Sequence, residues 1–295
     1  MIPTVGGILA TMVLIALIEG AVPLRPRGRW GRRHVRPNLS LTFLAFATNA
    51  LLDAAFVATL FGLEARHFGL LRVVPLHPLV AGVITVLMLD FSFYVAHVAL
   101  HRVPPLWRYH RVHHADPAVD VTTTIRQHPG ETVIRYAFLA AFAFAIGAGP
   151  GAFAVYRMWS ALSGLLEHAN VRVPLWLDRG LSLFTTWPYL HKIHHSRTAV
   201  QSNTNYGNIC SLFDRLFSTF TPSRQGVNIA YGLDGFDDPV MQTTAGLLAI
   251  PFRDAEPGAE GPPAWRRRAG TPTATTRSGA RPFACGEKNR TTSSS

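Results

Sequence analysis

The chain has 295 residues, of which 48% are hydrophobic and only 15% charged, a balance too apolar for an ordinary soluble domain. Its formal net charge of +11 rests on arginine almost alone, with lysine only at 192 and 288. That charge sits between apolar runs and in the C-terminal tail, which excludes a nucleic-acid module, where basic residues gather as a patch on a soluble domain.

The apolar run at 2–24 is broken only by Glu19. It is too long for the core of a signal peptide and lacks a basic leader, so it predicts a transmembrane helix. Arg25, Arg27, Arg29, Arg32, Arg33 and Arg36 follow and belong in the cytoplasm. Asn38 or Ser40 is positioned to cap the next span, at about 40–62. Asp53 inside that span is costly in lipid and must face other helices. Residues 63–78 make a short outer turn, and a third span covers about 79–97. A polar, histidine-rich stretch occupies 98–130. The runs at about 132–147 and 151–168 are separated by Gly147, Gly149, Pro150 and Gly151, the pattern of a helical hairpin. From about 253 onward the chain turns rich in Pro, Gly, Arg, Thr and Ser, which predicts disorder. Cys285 falls in that tail, so no disulfide with Cys210 is expected, and the two cysteines form no zinc motif.

Four segments follow: N-terminal transmembrane helices at 1–78, a catalytic region at 79–222, a C-terminal extension of the cap at 223–252 and a tail at 253–295. The fold class is all-α and integral to the membrane, with about four to five transmembrane helices. Counting spans from the arginine block places every histidine group on one face, the cytoplasmic one. The arginine bias suggests a bacterial gene and the inner membrane.

Most of the 13 histidines fall in tight groups. His97 and His101 are four apart. His110, His113 and His114 form one HxxHH group, and His191, His194 and His195 form another. His168 stands alone before Ala169 and Asn170. Spacings of three and four put side chains on one helical face, and paired imidazoles on a face build metal sites. Neutral imidazole suits Fe, Zn, Cu and Ni. Nine histidines are too many for one ion, so two ions sharing eight or nine ligands fit better. His34, His67 and His77 read as structural or solvated. Asp90 shares a helical stripe with Tyr94, His97 and His101 and lies about 10 Å deeper in the span than His97. It either receives the second N–H of a ligating imidazole or pairs with Arg135 between helices. His128, in His128-Pro129-Gly130-Glu131, is either a tenth ligand or a partner of one. Glu131 reads as a first-turn helix residue favoured by the dipole. Other classes remain open on these residues alone: a membrane metal transporter, a haem-binding electron-transfer protein or a membrane zinc hydrolase. Against them stand the gathering of histidines at span ends rather than at the midplane and the excess of ligands over what hydrolysis needs.

At these residues the sequence resembles the fatty acid hydroxylase/sterol desaturase superfamily of membrane non-haem di-iron oxygenases. The resemblance is carried by Asp90-Phe-Ser-Phe-Tyr94, by Leu106 through His114 and by Arg126-Gln-His128-Pro129-Gly-Glu131. It continues through Glu167-His168-Ala169-Asn170, His191 through Ser196, Asn205-Tyr206-Gly207 and Asp214 through Phe217, covering roughly residues 80–222. It implies a helical membrane bundle under a cytosolic, histidine-rich di-metal cap, with two iron ions and O2 as co-substrate. It also implies a lipid substrate that is hydroxylated or desaturated, and a separate electron donor such as a ferredoxin or a cytochrome b5-like protein. Zinc is a plausible replacement in purified protein. Carried over by position, the ligands are His97, His101, His110, His113, His114, His168, His191, His194 and His195. Asp90, His128 and Asn205 are the candidates for holding them in place. Val98 stands where the family often has Arg, and the tail after about 253 has no counterpart.

Overall fold

Five helices begin on proline: Pro78, Pro104, Pro129, Pro150 and Pro188 each occupy the first turn. The missing N–H there is one that a helix start leaves unpaired, and the fixed φ is already helical. The computed structural model describes residues 2–26, 28 and 33–253. Among them helix is the dominant element and there is no strand, only isolated antiparallel bridges between Pro23 and Val171 and between Thr185 and Cys210. The helices are α1 (Ile2–Ala21), α2 (Val35–Ala65), α3 (Leu70–Val73), α4 (Pro78–Arg102), α5 (Pro104–His114), α6 (Pro129–Ile146), α7 (Pro150–His168), α8 (Leu175–Leu181), α9 (Pro188–His194), α10 (Ala199–Ser202), α11 (Leu212–Leu216) and α12 (Thr244–Ala249).

This is an all-α membrane protein. Among the described residues, four stretches are long and apolar enough to cross a bilayer: α1, the α2–α3 segment, α4 and α6. α7 is about as long as α6 and, like it, carries one arginine and one glutamate, Arg157 and Glu167 against Arg135 and Glu131. α2, α4, α6 and α7 enclose a core that includes Phe56, Leu89, Leu139, Ala143 and Phe153. The α6–α7 hairpin turns at Gly147, whose φ of 68° and ψ of 50° are a left-handed C-cap that glycine adopts without strain. Gly69 packs directly on that turn, and a Cβ there would collide with the Gly147 backbone.

Two expected boundaries move. α2 starts at Val35, so neither Asn38 nor Ser40 caps it. Ser40 Oγ donates to the Arg36 carbonyl at 3.0 Å. Asn38 is buried one turn inside the helix, where its Nδ2 donates to Asp116 Oδ2 at 2.8 Å and its Oδ1 accepts from Arg126 at 2.7 Å. α4 runs on to Arg102 rather than stopping near 97, its last turns carrying the buried His97, Leu100 and His101. One continuous helix therefore carries both His97 and His101.

The cap is built from α5 and α8–α12. Leu41 of α2, Val112 and Ala115 around α5, and Phe236, Leu247 and Ile250 share one buried cluster, which fastens residues 223–252 onto the rest. A second tie is ionic. His34 is fully buried, with Nδ1 at 3.4 Å from Asp116 and Nε2 at 3.3 Å from Asp120. Burial alone would lower its pKa, but the two carboxylates outweigh that and push it up to about 10. His34 is thus structural, as its isolation in sequence suggested. Residues 254–295, with the expected disorder and Cys285, lie outside the described residues, as do Arg27, Arg29 and Arg32.

Candidate metal centre

Four elements bring nine histidines together beneath the cap. α4 presents His97 and His101 one turn apart. α5 presents His110, His113 and His114. α7 ends on His168, and α9 presents His191 and His194, with His195 as its C-cap. All nine are buried. They divide into a group of five (His97, His101, His110, His114 and His194) and a group of four (His113, His168, His191 and His195), and within each group the ligand atoms lie within 4.8 Å of one another.

The nitrogens face inward. Nε2 of His97 and His110 are 3.1 Å apart, as are those of His101 and His114. In the other group, Nε2 of His168 is 3.1 Å from His113, 3.1 Å from His195 and 3.0 Å from His191. Bonds of about 2.1 Å from a metal to imidazole set neighbouring ligand nitrogens about 3.0–3.4 Å apart, so these separations fit the edges of two coordination polyhedra. His194 Nε2 is buried with no hydrogen-bond partner, a cost that a metal bond would remove. Burial, with the neighbouring imidazoles as a lesser cause, holds His110, His113, His114, His191 and His195 well below the usual histidine range. Burial likewise takes His194 down to about 3. Neutral imidazoles keep a lone pair for a metal.

Three of the outer nitrogens are held by backbone carbonyls. Nδ1 of His97 donates to the Tyr206 carbonyl at 2.8 Å, His168 to Gly164 at 2.8 Å and His194 to Thr204 at 2.9 Å. A carboxylate, Glu131, holds another: its Oε1 accepts from His110 Nδ1 at 2.9 Å and from Arg135 Nε at 2.8 Å, while Glu167 Oε1 lies 3.8 Å from His168 Nδ1 and from His191 Nε2. Glu131 does lie in the first turn of α6, as expected from its place in the sequence, but its contact with His110 was not foreseen.

The three residues expected to hold ligands do other work. Asp90 neither meets a histidine nor pairs with Arg135; its two oxygens accept from the backbone amides of Ile209 and Cys210 at 3.1 and 2.9 Å. His128 stays outside both groups and caps α6, its Nδ1 accepting from Gly130 N at 3.0 Å. Asn205 adopts a left-handed φ of 56°. Its side chain bridges the Leu190 carbonyl and residue Thr221, shaping the loop whose neighbours Thr204 and Tyr206 receive two histidines. Lys192 completes the frame, its ammonium donating to the carbonyls of His168 and Val119.

A cavity of about 1100 Å³ runs from these histidines between the membrane helices. His97 of the first group and His113, His168 and His191 of the second line it, and along α7 its wall extends back to Pro150.

Buried histidine clusters that could hold metal ions thus stand at the end of a helical membrane bundle, open to a largely apolar cavity. Residues 82–219, just under half of the chain, match the fatty acid hydroxylase family. Ornithine lipid hydroxylase OlsE of Rhizobium tropici is 31% identical over 170 residues, covering 58% of this chain and 50% of the relative. Alkylglycerol monooxygenase of Xenopus tropicalis is 29% identical over 150 residues, 51% of this chain and 32% of the relative. The Caenorhabditis elegans alkylglycerol monooxygenase is 32% identical over 148 residues, 49% and 28% respectively. The chain thus spans half or less of the length of these relatives. No solved structure gives a significant match.

Proposed function

We propose that this chain is an O2-dependent oxidoreductase that hydroxylates or desaturates a C–H bond of a membrane lipid, using two non-haem iron ions. His97, His101, His110, His114 and His194 would hold one ion, and His113, His168, His191 and His195 the other. The observation that carries this reading is that both groups reach the wall of one largely apolar cavity between membrane helices. A transporter would place its ligands near the midplane, whereas these gather at helix ends.

Bound iron supplies the redox chemistry that turns O2 against an unactivated C–H bond; zinc fits imidazole equally well but is redox-silent. The chain supplies position and exclusion. The carbonyls of Tyr206, Gly164 and Thr204, with Glu131, fix ring orientation. The cavity walls keep bulk water from the reacting carbon while the rest of the lipid stays in apolar surroundings. In hydroxylation one oxygen atom enters the C–H bond and the other leaves as water, with two electrons and two protons supplied through a separate donor, a ferredoxin or cytochrome b5-like protein. The names of the similar chains support a polar membrane lipid among the sterol, fatty acyl and related candidates. Residues 1–78 anchor, 79–222 catalyse and 223–252 close the cap. The arginines after α1 favour a cytoplasmic face, in a bacterial inner membrane.

Protein purified with iron is expected to hold about two metal ions per chain and, in membranes with a reductant and 18O2, to place label in a lipid product. A single ion per chain or a haem Soret band would overturn the reading.

A further inference from the structure

Midway along the cavity, where α2, α6 and α7 pass one another, four polar side chains meet in its wall: Asn49, Asp53, Tyr136 and Arg157. Ionisable groups at such depth are expensive and mark function more often than not. The arrangement is only half satisfied. Tyr136 donates its hydroxyl to Asp53 Oδ1 at 2.6 Å, and Arg157 Nη2 donates to Asn49 Oδ1 at 3.1 Å. The guanidinium also stands over the Tyr136 ring at 5.3 Å. The ion pair itself is open: Arg157 Nη2 lies 3.7 Å from Asp53 Oδ2, beyond hydrogen-bond reach. The two side chains are 34% and 33% exposed, and both line the cavity. A pair that served only to join helices would gain by closing and burying, because an open charge in low dielectric is costly.

We propose that Asp53 and Arg157 form a recognition site for a hydroxyl group carried by the lipid. A hydroxyl is both donor and acceptor, so one group satisfies both sides of the gap, donating to Asp53 Oδ2 and accepting from Arg157. An ether or ester oxygen satisfies Arg157 alone, and a methylene satisfies neither. The inference rests on reading the cavity as the lipid site. Arg157 stands eleven residues before His168 on α7, an axial distance of about 16 Å. An extended chain of single bonds advances about 1.2 Å per bond. The recognised hydroxyl therefore lies of the order of a dozen bonds from the carbon held at the histidines.

The test is equilibrium binding of three radiolabelled probes, 1-octadecanol, octadecyl methyl ether and octadecane, to the full-length protein in detergent, with empty micelles as blank. Wild type is expected to prefer the alcohol over the alkane by about tenfold or more, the range of a hydrogen bond to a charged group, with the ether between. Asp53→Leu combined with Arg157→Leu should retain octadecane and lose the preference to within about twofold, since a buried ion pair replaced by apolar groups is often tolerated. If the double variant fails to fold, Asp53→Asn, which keeps the Tyr136 bond, should reduce the preference for alcohol over ether. Equal binding of all three probes to wild type, or a preference that survives these substitutions, overturns this inference and leaves the oxygenase reading standing. Wild type that binds none of the three overturns the lipid cavity along with it.

Discussion

Replacing Glu131 by Gln separates a residue that holds a ligand from one that shares a helix with it. Glu131 is wholly buried, and one of its oxygens takes hydrogen bonds from both His110 and Arg135. Gln keeps the shape but removes the charge on which both donors rest. A carboxylate that orients a ligating imidazole typically contributes 10–100-fold in metal affinity, about 1.4–2.8 kcal/mol. Glu131→Gln should therefore weaken the ion of the five-histidine group by about that factor. The four-histidine group, which Glu131 does not touch, should stay within about twofold, the error expected of independent sites. Asp90→Asn is the contrast. Asp90 accepts from two backbone amides and from no histidine, so its loss should lower thermal stability, at about 1.5–3 kcal/mol for each bond to the charged group, while metal affinity holds. Chelator competition with metal counted by mass spectrometry gives the first quantity, and thermal melts followed by circular dichroism give the second. Metal loss from Asp90→Asn with none from Glu131→Gln would refute the assignment.

His113→Ala and His194→Ala, one from each group, should each retain about one metal ion fewer than wild type and abolish lipid oxidation even with added iron, whereas His67→Ala and His77→Ala, exposed and far from both groups, should match wild type in product per folded protein. Reporter fusions after residues 36, 120 and 205 should all read cytoplasm, and one after 70 the opposite side; a periplasmic signal at 120 breaks the shared face. The charged His34 stabilises the fold because its pKa of about 10 exceeds the ordinary 6.5. That contribution is complete below about pH 6.5 and fades as pH rises through about 10, so melting temperature should fall across this window and His34→Gln should flatten the fall. An unchanged slope in the variant would show that some other group carries it.

The convergence of nine histidines was legible because helical spacing of three and four is a local property that survives any tertiary arrangement. Asp90 shows where that logic fails. It shares a stripe with His97, but two residues of one helix seven apart sit about 10 Å from each other along the axis, too far for a carboxylate to meet the ring. The partner of a ligand comes instead from a neighbouring helix, and Glu131 reached His110 through a register that no single-helix pattern contains. The carbonyls of Tyr206, Gly164 and Thr204 were invisible for a different reason: every residue has one, so sequence carries no mark of which is used. The His34 network was hidden by separation, its members lying at 34, 116, 120 and 126. Asp53 could be read as facing other helices from the cost of charge in lipid alone, while its opening onto a cavity depended on how three helices pack.

The two histidine groups are not equivalent. In the group of five, His97, His110 and His194 are anchored through Nδ1 to fixed acceptors. In the group of four, only His168 is so anchored, while Nδ1 of His113, His191 and His195 is buried without a partner, as is that of His114 alone in the group of five. Orientation there depends on packing between rings, such as His191 against His168 at 4.3 Å between centroids. The cavity reaches three members of this group and only His97 of the other. A metal with more protein ligands and fixed rings is a closed site, and one with fewer ligands beside a cavity keeps positions for exogenous atoms. On the proposed reading, the five-histidine site supplies a firmly held ion, and the four-histidine site is where substrate and O2 gain access. The same features that open the second site, fewer anchors and a cavity wall, make its ion the easier to lose.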